Sequence, residues 1–274
     1  LQLAPQFGHN TYSGGTFVNG GTLNLNARGQ VSQGSGTIAA ASNTITLSNT
    51  SGFTAGMTIY NANFPGGTKI VTVNANTSLV MDNVSTNTST QTGQTVSSFD
   101  AWYAIPAAGG LTISNATVNM SATAFQQIAP TTAITINGGG NLTLANYAIG
   151  TPASTNVITQ TFASVTFVNE GGANTPTFNL GNPSVASGTN QALSITQLTS
   201  ATPLTATNNS LSTTPTVSTG NANNTELRFS AVSPVITVNG GLAETGLVIS
   251  AVIGQSATMT SLTKTGAGLL ALTG

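Results

Sequence analysis

Five carboxylates, four Lys or Arg side chains and one histidine carry all the charged side-chain chemistry this 274-residue chain can do. The carboxylates are Asp82, Asp100, Glu170, Glu226 and Glu244, and no two lie within ten residues of each other. Glycoside cleavage needs two carboxylates flanking one bond, so only folding could bring such a pair together. Glu226 and Arg228 stand at i and i+2 and share one face of any strand; the plain reading is a surface ion pair of small energetic value. Asp100 beside Trp102 and Tyr103 has the make-up of a sugar-stacking site, and equally of an aromatic plug between two parts of the chain. His9 has no second imidazole to share a metal with, and no nucleophile triad can be ordered around it. Without cysteine there is no disulfide framework and no thiolate zinc site. The Gly-Gly-x-Gly-x-Asp repeat that binds calcium in solenoids is absent from the sequence. The expectation is therefore a non-enzymatic chain with no catalytic, cofactor-binding or metal residues.

Composition narrows the classes further. Charged residues make up 3% of the chain, with a formal net charge of −1, against roughly 25% in an ordinary soluble domain. Four scattered basic residues cannot neutralise a row of phosphates, which excludes nucleic acid as a partner. No apolar run reaches the length of a membrane-spanning helix, so membrane insertion is not expected. The chain holds 49 Thr, 29 Asn and 31 Gly. Hydrophobic residues at 39% and a near-zero charge separate it from disordered chains, which combine low hydrophobicity with high net charge. Scarcity of Lys and Glu favours an extracellular or cell-surface setting, and the start at Leu1, without Met or an apolar leader, is expected of a chain whose signal has been removed or of a piece of something longer. Asn-x-Ser/Thr sequons such as Asn76, Asn83, Asn115, Asn141 and Asn223 are as frequent as this much Asn and Thr produces by chance.

The apolar residues come singly, alternating with Thr, Asn or Ser. Period-two segments recur at Thr22–Asn26, Thr44–Leu47, Lys69–Val73, Leu111–Ser114, Thr117–Met120, Ile134–Asn137 and Leu142–Leu144. Further along they recur at Val165–Val168, Phe178–Leu180, Leu193–Ile195, Leu227–Phe229, Val235–Val238 and Leu247–Ile249. Alternation rich in β-branched residues predicts half-buried strands, and clusters such as Asn137–Gly140 and Asn239–Gly241 supply the corners. No stretch carries a convincing helical period. The chain is all-β, with two architectures open: a β-sandwich, or a solenoid of short stacked strands. A stack lets Thr, Ser and Asn line up from coil to coil, whereas stacked charges would repel, so the composition favours the solenoid.

The stretch 36–93 reads as a small β-domain of four or five strands inserted in that body. Residues 1–35 supply the N-terminal coils and 94–274 the remaining solenoid. Gln33–Gly36 and Ser85–Gly93 look like polar linkers, and Thr205–Asn224 like a long surface loop.

The two ends carry related strings. Leu262-Thr263-Lys264-Thr265-Gly266-Ala267-Gly268-Leu269-Leu270-Ala271-Leu272-Thr273-Gly274 closes the chain, and Asn10-Thr11-Tyr12-Ser13-Gly14-Gly15-Thr16-Phe17-Val18-Asn19-Gly20-Gly21-Thr22-Leu23 stands near its start. Over about 25 to 30 residues these resemble the two parts of the autotransporter-associated β-strand repeat, also called the passenger-associated transport repeat. There a Lys-Thr-Gly-x-Gly strand and a Leu-x-Leu-x-Gly strand precede an Asn-Thr-Tyr-x-Gly-Gly-Thr turn. The resemblance implies a right-handed parallel β-helix in a large secreted bacterial surface protein. Leu1–His9 departs from the pattern, standing where the family has about two residues.

Together these readings predict a right-handed parallel β-helix with a small inserted β-domain, serving as a structural unit of a fibre, sheath or surface protein. Copies would join end to end by strand stacking, through Asn10, Tyr12, Thr16, Phe17, Val18 and Leu23 on one side and Leu262, Thr263, Leu269, Leu270 and Leu272 on the other. The alternative is an adhesin whose inserted domain grips surface carbohydrate. Ice binding, which Thr-x-Thr arrays can support, is disfavoured because that triplet does not recur at a constant interval. About 215 solenoid residues predict roughly 10 coils of about 22 residues and a length on the order of 50 Å.

Overall fold

The computed structural model describes residues 1–3, 10–26, 31–65, 68–98, 103–120, 127–144, 157–171, 174–181, 193–219, 225–255 and 259–274. His9, Arg28, Asp100 and Trp102 lie outside them. The described residues are strands, turns and irregular segments, with no helix among them. The chain divides into two compact units: Leu1–Ala27 with Tyr103–Gly274, and Arg28–Trp102.

The larger unit is a parallel β-solenoid. Its first sheet has eight strands in the order Gln2–Leu3, Gly21–Leu25, Ala116–Met120, Asn141–Thr143, Thr177–Asn179, Thr216–Ser218, Thr245–Ile249 and Leu269–Leu272. A second has seven: Thr16–Val18, Leu111–Ser114, Ala133–Asn137, Ser164–Asn169, Leu204–Asn208, Val235–Asn239 and Thr263–Thr265. The third has four: Val157–Phe162, Leu193–Leu198, Thr225–Phe229 and Val252–Gln255. All pairings in these sheets are parallel, and strands next to each other in sequence fall in different sheets. That topology replaces the sandwich alternative, because hairpin-built sandwiches pair their strands antiparallel.

Alternation determines which side chains face inward. In the second sheet Leu111, Ile134, Val165, Leu204 and Ile236 form one buried column, and Ile113, Ile136, Phe167, Ala206 and Val238 the next. In the first sheet the column runs Leu23, Val118, Leu142, Phe178, Val217, Ile249 and Leu272. Phe162 of the third sheet meets Phe178 edge to face, with ring centroids 6.1 Å apart, a favoured aromatic geometry.

Facing outward on the second sheet is a column of six threonines: Thr112, Thr135, Thr166, Thr205, Thr237 and Thr265. The column beside it is mixed, with Ser114, Asn137, Val168, Thr207 and Asn239. Side chains bond from coil to coil: Thr237 with Thr265 at 3.1 Å, Asn239 to Thr207 at 3.0 Å, Asn137 to Ser114 at 3.3 Å. These ladders are the arrangement that a polar, nearly uncharged surface predicts.

Coil length differs from expectation. Along the second sheet the chain advances 23 residues from Leu111 to Ile134, 31 to Val165, 39 to Leu204, 32 to Ile236 and 28 to Lys264. Coils are therefore longer than the 22 residues expected, and seven or eight levels replace ten. At about 4.8 Å per level the stack is on the order of 35 Å. The stretch 205–224 is no continuous loop, since it contains most of Leu204–Asn208 and all of Thr216–Ser218.

The smaller unit is an antiparallel sheet of six described strands. Its order is Ile59–Tyr60, Gln91–Ser98, Val31–Ile38, Thr44–Thr46, Ser78–Met81 and Ile70–Asn74. Ile38, Ile45, Leu47, Leu79, Met81 and Val96 are fully or almost fully buried within it. Gln33–Gly36, expected as linker, lies inside a strand. Its backbone pairs with Gln91–Ser98 across irregular register, and a ladder bond needs only backbone groups.

Candidate assembly interface

Among the described residues, each end of the solenoid unit is bounded by a strand of the first sheet and a strand of the second. At one end the outermost strands are Gln2–Leu3 and Thr16–Val18; at the other they are Leu269–Leu272 and Thr263–Thr265. An open strand edge presents a row of N–H and C=O groups that pairs readily with another strand.

Thr16–Val18 is held from below by the turn that precedes it. The Asn10 amide donates to the carbonyl of Ala104 at 2.7 Å, and its backbone N–H to Tyr103. The Tyr12 phenol shares a 2.6 Å hydrogen bond with the Thr16 hydroxyl, and the Thr16 N–H donates to Gly110. Phe17 points outward at the end of the threonine column and is 68% exposed. Val18 takes the inward column.

The opposite end is built on the Lys264–Gly268 turn. Gly266 has a φ of 78°, and a Cβ there would run into the Val238 carbonyl, so only glycine turns this corner without strain. Leu262, Thr263, Leu269 and Leu272 are exposed and Leu270 is half-buried. A shallow hollow here is lined by Glu244, Lys264, Ala267 and Leu269 among others. Lys264 stands in the inward column directly after Ile236, and its amine donates to the Gly266 carbonyl at 2.5 Å. An interior column thus closes on a charged side chain, a polar cap of one residue that the sequence reading passed over.

Of the eleven expected interface residues, the structure places Thr16, Phe17 and Val18 on one outermost edge, and Thr263, Leu269, Leu270 and Leu272 on the other. Asn10 and Tyr12 brace the first edge, and Leu262 precedes the second. Leu23 is different: it is 3% exposed, one level inside the stack, because Gln2–Leu3 pairs alongside it. Leu1 stands opposite Leu23, the position before the Gln2–Asn24 pair, and is 88% exposed. It takes the outermost place at one end of the column that Leu272, 58% exposed, closes at the other.

Three of the described carboxylates keep separate hydrogen-bond partners. Glu226 accepts from both Nε and Nη2 of Arg228 at 2.7 Å on the outward face of the third sheet, the plain ion pair expected of i and i+2. Gly254 pairs opposite Arg228, and a Cβ there would strike the Glu226 carboxylate. Asp82 accepts the Lys69 backbone N–H in the smaller unit, and Glu170 accepts from the Asn209 amide. Among the described residues no three His, Asp or Glu side chains gather at a possible metal position.

Buried asparagines are the feature the sequence reading missed. Asn169 and Asn208 pair inside the corner between the second and first sheets, 0% and 1% exposed. Asn169 donates to Asn208 at 2.8 Å and to Thr213, while Asn208 donates to the Thr245 carbonyl at 2.9 Å. Their signal in the sequence is that each ends a period-two run at an inward-facing position.

Comparison with protein-family models, with curated proteins and with solved structures finds no match to this chain.

Proposed function

We propose that this chain is a structural unit of an extracellular fibre, sheath or cell-surface protein, related to the autotransporter-associated repeats, in which copies join end to end by stacking strands. The carrying observation is the outermost described strands of the first and second sheets at each end, whose backbone edges lie in line with the stack, with Leu1 and Leu272 exposed in one aliphatic column. Joining continues both ladders and covers these leucines, each worth about 1.5–3 kcal/mol when fully buried. The test is electron microscopy of the full chain beside a variant lacking Leu262–Gly274. Filaments from the first and single folded units from the second support the proposal; single units from both overturn it.

The second reading is an adhesin that grips carbohydrate through the smaller unit. Its own sheet and core favour a separable module. Phe53 and Phe64, however, are buried in that core rather than placed where a sugar ring would stack, so the structural reading comes first.

A further inference from the structure

The sequence holds three Asn-Gly steps, Asn19–Gly20, Asn137–Gly138 and Asn239–Gly240. Each stands where a strand of the second sheet ends and the chain turns a corner. Such a step can rearrange without help: the backbone nitrogen of glycine, with no Cβ to obstruct it, can reach the side-chain amide carbon of the asparagine before it. Asn137 and Asn239 occupy one outward column, with Val168 and Thr207 between them. Both have described coils on either side, so the same chemistry sits twice at the same place in the coil.

The two corners are held differently. At the first, the Gly138 N–H donates to the Val168 carbonyl at 3.0 Å. The Gly139 N–H donates to Asn115 Oδ1 at 2.9 Å, and the half-buried Asn137 amide donates to Ser114 at 3.3 Å. At the second, Asn239 and Gly240 are both exposed. The Asn239 amide donates to the Thr207 hydroxyl at 3.0 Å, and among the described residues no backbone carbonyl holds the Gly240 N–H.

We propose that Asn239 is a site of spontaneous deamidation, in which the Gly240 nitrogen attacks the side-chain amide carbon. The new C–N bond closes a cyclic imide. The side-chain nitrogen leaves as ammonia, taking the proton that the Gly240 nitrogen gives up. Water then opens the ring at one carbonyl or the other, giving aspartate, or isoaspartate with the backbone routed through the side-chain carbon. One amide and one water are consumed, one carboxylate and one ammonium are formed, and no oxidant, reductant or cofactor takes part.

The product is ionised at neutral pH and adds a negative charge to a chain whose formal net charge is −1. That charge falls in a column where Ser114, Asn137, Val168 and Thr207 carry none. A carboxylate only accepts, so the rung to Thr207 persists with the hydroxyl as donor. Isoaspartate also lengthens the backbone at the corner by one carbon. Copies therefore gain charge on this face as they age, whether or not they join end to end.

Gly240 supplies the control. Its φ lies outside the left-handed region, and a Cβ there would meet the Ala267 Cβ at 3.4 Å, an ordinary contact. Gly138, with a φ of 54°, has no such freedom, since a Cβ would strike the Asn115 side chain. Gly240→Ala thus keeps the fold and obstructs the attack. The experiment stores the full chain and this variant at neutral and mildly alkaline pH, folded and in urea, and follows conversion by mass spectrometry. Trypsin, applied after denaturation, releases residues 229–264, in which Asn239 is the sole asparagine; fragmentation of 70–228 reads Asn137.

In the folded chain Asn239 should convert at least about tenfold faster than Asn137, where two N–H bonds must first open. The two rates should approach each other in urea, and Gly240→Ala should lose most of the conversion at 239. Equal rates at the two sites in the folded chain, conversion of Asn239 in urea alone, or an undiminished rate in Gly240→Ala would each overturn the proposal.

Discussion

At the residue scale, the buried polar groups separate fold from function. Asn208 spends both ends of its amide: its nitrogen goes to the Thr245 carbonyl, and its oxygen accepts from Asn169 and from the Ser210 N–H. Removing it leaves those partners enclosed, so Asn208→Ala should cost about 1–3 kcal/mol, read as a lower midpoint in urea unfolding. An unchanged midpoint would mean that water reaches this corner. Lys264 carries a different expectation. Its amine must be enclosed when an end is covered, which opposes joining. Lys264→Met keeps the stem and removes the charge, so it should lower the concentration at which copies associate, measured by light scattering. A higher threshold would show that the amine finds better partners in the joint than in the free end.

At the element scale, the strands were legible wherever large aliphatic side chains alternate with Thr or Asn. Leu111–Ser114, Ile134–Asn137, Val165–Val168 and Val235–Val238 all fall within strands. The misses have two causes. In Leu204-Thr205-Ala206-Thr207-Asn208 the period is intact, but the inward places go to Ala and Asn, which carry no hydrophobic signal. Val31–Ile38 and Gln91–Ser98 are held by pairing with each other, and pairing between distant segments leaves no local trace. The six-threonine column was hidden for a related reason: its members recur at intervals that change with every coil. Only one of two adjacent columns is regular, so the face is not the two-column Thr-x-Thr array on which the ice reading depended. Of the candidate interface, the exposed edge residues were legible through the resemblance, while the burial of Leu23 follows from Gln2–Leu3, a strand too short to announce itself. Packing between elements gives the strongest expectation at this scale. Phe178 is fully buried against Phe162 and continues a column shared with Leu142 and Val217. Phe178→Ala should cost about 3–5 kcal/mol, visible as a large fall in thermal midpoint. A loss under about 1 kcal/mol would indicate an interior that closes over the gap.

At the scale of the whole molecule, scarcity of charge decides how copies joined as proposed would respond to solvent. An interface held by ion pairs weakens as salt screens it, because the screening length falls from about 10 Å at 0.1 M to about 3 Å at 1 M. Among the described residues that line the hollow at the Lys264–Gly268 turn, Lys264 and Glu244 carry the charge, and the opposite edge is built from Gln2, Leu3, Thr16, Phe17 and Val18. Cohesion then rests on backbone hydrogen bonds and covered Leu, Val and Phe, and salts that are excluded from protein surface strengthen such burial. Fibres should therefore keep their length in molar sodium chloride and grow from lower protein concentration in ammonium sulfate, both followed by sedimentation. The same absence of repulsion removes what normally keeps exposed strand edges apart, so association should need no counter-ion and no partner of opposite charge. Fibres that dissolve between 0.1 M and 1 M sodium chloride would place the joint on charged residues instead, and stacking through the uncharged edges of the two sheets would be wrong.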